Sequence, residues 1–173
     1  KMMSHICATF LVLCQIHLTD LQDYQTRFIN QITKCAIEYN AMVDSPNRLP
    51  VMLVISQSAF ESDWGRSRFA VEGNNYFGIR EYNETEPHLH ALENPSVMVK
   101  TYLTQCDSVN DYMELLTIHP IYESFQVELH NQWFEDIINI DKLIDELDSY
   151  AENPNYKSKL KDIIDYLLTQ PPQ

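Results

Sequence analysis

Glu61 is the side chain in this sequence best placed to do acid chemistry, and its setting is the stretch AFESDWGRSRFAVEGNNYFGIR, residues 59–80. Glutamate is almost never fully buried without a partner, yet Glu61 follows an apolar run and stands beside Phe60 and close to Trp64. Burial disfavours the charged form, and a place in the last turn of a helix sets the carboxylate against the negative end of the macrodipole. Both effects keep the proton on near neutral pH, which is what protonation of a leaving-group oxygen requires. All three glycines of the chain, Gly65, Gly73 and Gly78, fall in the same stretch. Gly65 is expected to end the helix in a left-handed conformation. Gly73 and Gly78 flank Asn74, Asn75, Tyr76 and Phe77, where glycine allows tight turns or close approach of the main chain to a ligand. A plainer reading stays open on these residues alone: Glu61 paired with Arg66 or Arg68 at a helix end, with the glycines serving turns only.

Other residues with chemical potential carry less. His88 and His90 lie one residue apart, so a strand puts both on one side, but two ligands do not make a metal site; the reading is a solvated loop, and no metal is assigned. Cys7, Cys14, Cys35 and Cys106 are even in number but match no CxxC pattern, and are read as free or buried thiols. Trp133 and Phe134 are read as core.

The elements that must position Glu61 are helical. Leu21, Tyr24, Phe28, Ile32, Cys35, Tyr39 and Val43 recur at intervals of three and four after Thr19 and Asp20, which marks a long amphipathic helix. After a turn at residues 45–49, Pro50 opens a second helix to about residue 62. Its first turns, Val51 to Ile55, are apolar on every side, so it belongs at the centre of a domain. Val97, Val99 and Thr101 alternate with Met98, Lys100 and Tyr102 as in a short strand, predicting a small hairpin-like lobe. Helices follow, one from about Asp107 to Pro120, two segments around Trp133 to Leu147, and a last one after Pro154.

The chain of 173 residues carries 12 basic and 25 acidic side chains, a net charge of −13. With no Lys/Arg cluster it is unsuited to nucleic acid or anionic lipid, so a ligand is expected to be neutral and read by shape. Asparagine amides and aromatic faces suit a sugar bearing hydroxyl and acetamido groups. The apolar run at residues 6–13 is too short for a stable membrane span. Residues 1–18 are therefore taken as a packing element or targeting remnant, and residues 19–173 as a single domain.

The run SQSAFESDWGRSRFAVEGNNYFGI, residues 56–79, resembles the catalytic segment of the bacterial glucosaminidase domain of glycoside hydrolase family 73, in its Bax-like branch. The matching pattern is Gln57, Ala59, Glu61, Ser62, Trp64, Gly65, Ser67, Phe69, Ala70, Gly73, Asn74, Asn75, Phe77 and Gly78. A looser likeness runs through Asp107, Ser108, Val109 and Tyr112, through Tyr122 and Phe125, and through LDSYAENPNY at residues 147–156. The resemblance implies a mainly α, lysozyme-like domain with a small β-hairpin lobe beside an active-site groove. The implied activity is hydrolysis of β-1,4 bonds after N-acetylglucosamine in peptidoglycan glycan strands, by a monomer without cofactor, in the periplasm, the cell envelope or outside the cell. Glu61 takes the role of general acid, and Tyr112 or Tyr122 is expected near the reacting sugar. Gln57, Trp64, Asn74, Asn75, Tyr76 and Phe77 are expected to bind substrate.

One departure bears on mechanism. Family members often carry a second glutamate on the β lobe, and an ungapped alignment puts Met98 at that place. The carboxylates nearest in sequence are Glu93, Glu86, Glu84 and Glu81, of which Glu93 is the expected substitute. Inverting glycosidases hold their second carboxylate about 6.5–9.5 Å from the acid, whereas substrate-assisted enzymes use the acetamido group itself. The alternatives are a lytic transglycosylase, which works with one glutamate, a glycan-binding module that has lost turnover, and an interaction domain of an envelope assembly.

Overall fold

The computed structural model describes residues 24–147, 150 and 155–169. The expectations for residues 1–18, for helix initiation at Thr19 and Asp20, and for Pro154 lie outside these residues.

Helix α1 covers residues 24–42 and buries Phe28, Ile32, Cys35 and Ala36. A turn containing a short 3-10 segment, Ser45–Asn47, leads into α2, Val51–Ser62, with Pro50 at its N-cap. The apolar start of α2 puts it at the centre: Leu53, Val54 and Ile55 are buried, and so are Ser56, Gln57, Ser58 and Ser62. A buried helix accommodates these serines because each hydroxyl donates to a carbonyl one turn back, Ser56 to Leu53 at 2.9 Å, Ser58 to Ile55 at 2.9 Å and Ser62 to Ser58 at 2.5 Å.

Helix α3, Arg68–Gly73, is capped by the Ser67 side chain and closes on left-handed Asn74. The β lobe has three strands, β1 (Arg80–Glu81), β2 (His88–His90) and β3 (Met98–Lys100), in the order β1-β3-β2. The expected hairpin is thus β2-β3, and β1 adds to its far edge through the pairs Arg80 with Val99 and Glu81 with Met98. Paired residues share a face. Glu81, Met98, His90, Lys100 and His88 therefore occupy one side, and Val99 and Leu89 the other, where Val99 is buried.

Helix α4, Gln105–Ile118, starts earlier than the sequence suggested. Thr104 and Asp107 form a reciprocal capping box, so Asp107 is the third helical residue and not the first. A 3-10 turn, Pro120–Tyr122, joins it to α5, Glu123–Glu135, followed by α6, Ile140–Asp145, and α7, Tyr156–Thr169. The central helix α2 packs on α7. Trp133 packs against the core and donates its indole N–H to the Arg48 carbonyl at 2.9 Å, whereas Phe134 is 93% exposed, contrary to its expected core role.

The cysteine reading is corrected. Cys35 of α1 and Cys106 of α4 form a disulfide with their Cα atoms 5.0 Å apart. They are 71 residues apart in sequence, so no local spacing pattern announces a bond that only the packing of α1 on α4 creates.

Candidate active site

Glu61 sits in the last turn of α2, where three consecutive residues adopt left-handed backbone, Asp63 (φ 51°), Trp64 (φ 57°) and Gly65 (φ 78°). The expected left-handed Gly65 is present, but Asp63 already closes the helix. Glycine is favoured at position 65 for a second reason, the closeness of its neighbours. A Cβ there would stand 3.1 Å from the rings of both Phe28 and Tyr76. Ser62 ties the turn together by accepting the Gly65 N–H on its hydroxyl at 2.7 Å, while its carbonyl accepts the Ser67 N–H at 2.8 Å.

The ion-pair alternative is not what forms. Arg66 binds Asp63 at 2.7 Å and Arg68 binds Glu72 at 3.0 Å. Burial pushes the Glu61 carboxyl up to about 7, opposed by a hydrogen bond from the Tyr156 hydroxyl. That hydroxyl in turn accepts from Gln57 Nε2 at 2.6 Å. Gln57 is fully buried and acts as a support for Tyr156, not as a lining residue.

Glu61 opens into a groove of about 850 Å³ lined also by Phe77, Gly78, Ile79, Arg80, Glu81, Tyr82, Lys100, Leu115, His119, Ile121, Tyr122 and Tyr150. Gly78, at φ 65°, faces the carboxylate: a Cβ there would lie 3.7 Å from Glu61 Oε2. Phe77 stacks on Tyr112 with centroids 3.9 Å apart, and the Tyr150 hydroxyl donates to the Phe77 carbonyl at 2.9 Å. Tyr150 also packs near Tyr112, Tyr122 and Tyr156, so four tyrosines back the carboxyl group. Lys100 is held by Asp111 at 2.9 Å, and Tyr102 donates to the same carboxylate oxygen at 2.6 Å.

Of the residues expected to catalyse or to bind substrate, Glu61, Phe77 and Tyr122 line the groove. Tyr112 is fully buried behind Phe77, and its hydroxyl has no partner among the described residues. Trp64 packs edge-on against Phe28 and Tyr166, and Tyr76 leans on Phe28 and donates its N–H to Ser108 Oγ at 3.1 Å. The asparagine amides do not face the groove. Asn74 donates to the carbonyls of Tyr102 and Leu103, while buried Asn75 donates to those of Ile79 and Lys100 and accepts from the N–H groups of Phe77 and Ile79. The reason is general: a loop that folds inward must satisfy its main-chain groups, and these two side chains do so.

Glu93 lies exposed in the β2–β3 connection and is not among the groove residues. Glu81 is. It is the β-ladder partner of Met98, so its side chain emerges on the sheet face where the alignment looked for a glutamate, one strand over. The N–H groups of Asn83 and Tyr82 bind its Oε1 at 2.9 and 2.8 Å and hold the carboxyl below its ordinary range, helped by Lys100 and His88. One groove thus contains a carboxyl pushed up and a carboxyl pushed down, the arrangement that separates acid from base. Sequence reasoning passed over Tyr150 and Tyr156 as site residues, although both stand in the LDSYAENPNY segment that carried the looser likeness.

Comparison with known proteins follows the same lines. A family model described as mannosyl-glycoprotein endo-beta-N-acetylglucosaminidase matches residues 38–168. The chain is 30% identical over 93 residues to Protein bax of Escherichia coli (strain K12), covering 52% of this chain and 32% of that protein. It is 27% identical over 171 residues to an N-acetylmuramoyl-L-alanine amidase domain-containing protein of Staphylococcus aureus, covering 90% of this chain and 26% of that one. The chain therefore spans about a third or less of these curated relatives. In three dimensions it is similar to the catalytic domain of the autolysin Auto from Listeria monocytogenes, with a TM-score of 0.63, 27% identity, and 85% and 86% of the two chains covered. The glycoside hydrolase domain of Salmonella typhimurium FlgJ shares the fold, with a TM-score of 0.60 at 20% identity over 83% and 88% of the two chains. The architecture is the mainly α, lysozyme-like one, with a small antiparallel sheet in place of a bare hairpin.

Proposed function

Because this chain belongs to the mannosyl-glycoprotein endo-beta-N-acetylglucosaminidase family, we propose that it is a peptidoglycan hydrolase cleaving β-1,4 bonds after N-acetylglucosamine, with Glu61 as general acid. The observation that carries this reading is a half-buried carboxyl pushed up to about 7 that lines a groove of about 850 Å³. A glycan strand lying in the groove presents its glycosidic oxygen to Glu61. The proton passes to that oxygen as the bond to the anomeric carbon breaks. Glu81, ionised, takes the proton of the water that adds to the anomeric carbon, and this assignment replaces Glu93. Tyr122 and Tyr150 position the sugar, and Tyr156 orients Glu61.

A working place outside the cytoplasm fits both this substrate and the Cys35–Cys106 disulfide, since such bonds persist in oxidising compartments. No helix among the described residues is long and apolar enough to cross a membrane.

The test is to incubate the chain, Glu61→Gln and Glu81→Gln with purified peptidoglycan, reduce the products and identify new chain ends by mass spectrometry. Reduced N-acetylglucosamine ends from the unmodified chain, with turnover down about 10²–10⁴-fold in each variant, are the expected result. Anhydromuramyl ends would make it a lytic transglycosylase. Binding without release would make it a glycan-binding module.

A further inference from the structure

His88 and His90, expected in a solvated loop, stand on β2 instead, and their ring nitrogens are held by main-chain groups. His88 Nδ1 lies 2.7 Å from the Glu86 carbonyl oxygen, and His90 Nδ1 lies 2.7 Å from the Pro95 carbonyl oxygen. A carbonyl only accepts, so each Nδ1 carries the ring proton. In the neutral rings both Nε2 atoms are therefore left with bare lone pairs, and these two atoms stand 3.3 Å apart, the rings nearly perpendicular at 89°. Two acceptors at that distance repel unless a cation lies between them.

We propose that His88 and His90 form a surface binding site for a divalent transition-metal ion, of which Zn²⁺ is the best fit. Two nitrogens bound at about 2.0–2.1 Å with tetrahedral geometry stand about 3.3–3.4 Å apart, which matches the observed separation. The carbonyl bonds at Nδ1 are the outer-shell contacts that fix the tautomer and direction of metal-binding imidazoles. Imidazole selects Zn²⁺, Ni²⁺ and Cu²⁺ over Mg²⁺ and Ca²⁺. Water completes the coordination, since no cluster of three or more His, Cys, Asp or Glu side chains occurs among the described residues. Surrounding charges permit a cation: Glu81 shares the sheet face, Lys100 opposite His88 is neutralised by Asp111, and Arg68, which donates to the His90 carbonyl, is paired with Glu72. The ion would bring positive charge to the sheet face of Glu81, linking metal loading to the groove. The site stands independently of the glycosidase reading.

The test uses the 173-residue chain. Long-range ¹⁵N spectra of the imidazoles without metal, at a pH where both rings are neutral, are expected to show Nδ1–H in both rings. An Nε2–H tautomer in either would overturn the proposal. Calorimetric titration with ZnCl₂ is expected to give one site, with the Nε2 resonances of His88 and His90 shifting on binding. His88→Ala and His90→Ala should each weaken it at least about tenfold, the scale on which even outer-shell partners matter, while His130→Ala should not. Zn²⁺ binding that survives both substitutions, or no binding at all, would overturn the assignment.

Discussion

At the scale of single residues, the Glu61 carboxyl decides how the protein should respond to pH. Burial raises it from 4.5 to about 7, so between these values the folded chain holds a proton that the unfolded chain has released, and stability falls as pH rises. The contribution is fully present below about pH 4.5 and gone above about pH 7. Glu61→Gln keeps an acceptor for Tyr156 and removes the charge, so it should be more stable than the unmodified chain at pH 8, by up to about 3 kcal/mol, and little different at pH 4. Urea denaturation at the two pH values checks this, and equal stability at both would mean that the carboxyl is not buried in solution. On the proposed mechanism, Glu61 must be protonated and Glu81 ionised. The profile of kcat/KM should therefore be a bell, falling above about pH 7 on the alkaline side and, on the acid side, only below the usual glutamate range.

At the scale of elements, the segment from α3 to β1 is built around Asn75, whose one side chain makes four main-chain hydrogen bonds, to Phe77, to both groups of Ile79 and to Lys100. Asn75→Ala leaves those groups unpaired in the interior and should cost about 2–4 kcal/mol. Activity should fall with it, because Gly78 opposite Glu61 loses its anchorage. A denaturation midpoint unchanged from the parent would refute the clamp. Sequence reading had put this asparagine on the sugar, since an amide fits either task. Which task it performs depends on whether the loop folds inward, and residue type does not say so.

At the scale of the whole molecule, contacts between distant segments assemble the site. Tyr156 reaches Gln57 across 99 positions and also binds Glu61. Because that bond lowers the Glu61 value, Tyr156→Phe should move the alkaline limb of the pH profile to higher pH. It should also cost about 1–3 kcal/mol by leaving Gln57 without its partner. An alkaline limb that stays in place would remove Tyr156 from the site. The Cys35–Cys106 bond closes a long loop between α1 and α4. Replacing both cysteines by alanine should lower stability by about 2–4 kcal/mol, and reductant should bring the parent to the same melting temperature. If neither treatment shifts it, the cysteines are not joined.

What the sequence determined by itself is the local part: a central apolar helix ending in Glu61, glycines at its turn, and a mainly α domain with a small β lobe. These follow from periodicity, from residue types with strong backbone preferences, and from a motif that is continuous along the chain. Tertiary structure decided the rest. Glu81 takes the sheet face expected at Met98 because β1 pairs with β3. The tyrosines converge because α4, the 3-10 turn and α7 pack around one groove, and two cysteines 71 residues apart meet because two helices cross. Pairing and packing depend on which surfaces fit together, and no single stretch of sequence contains both partners.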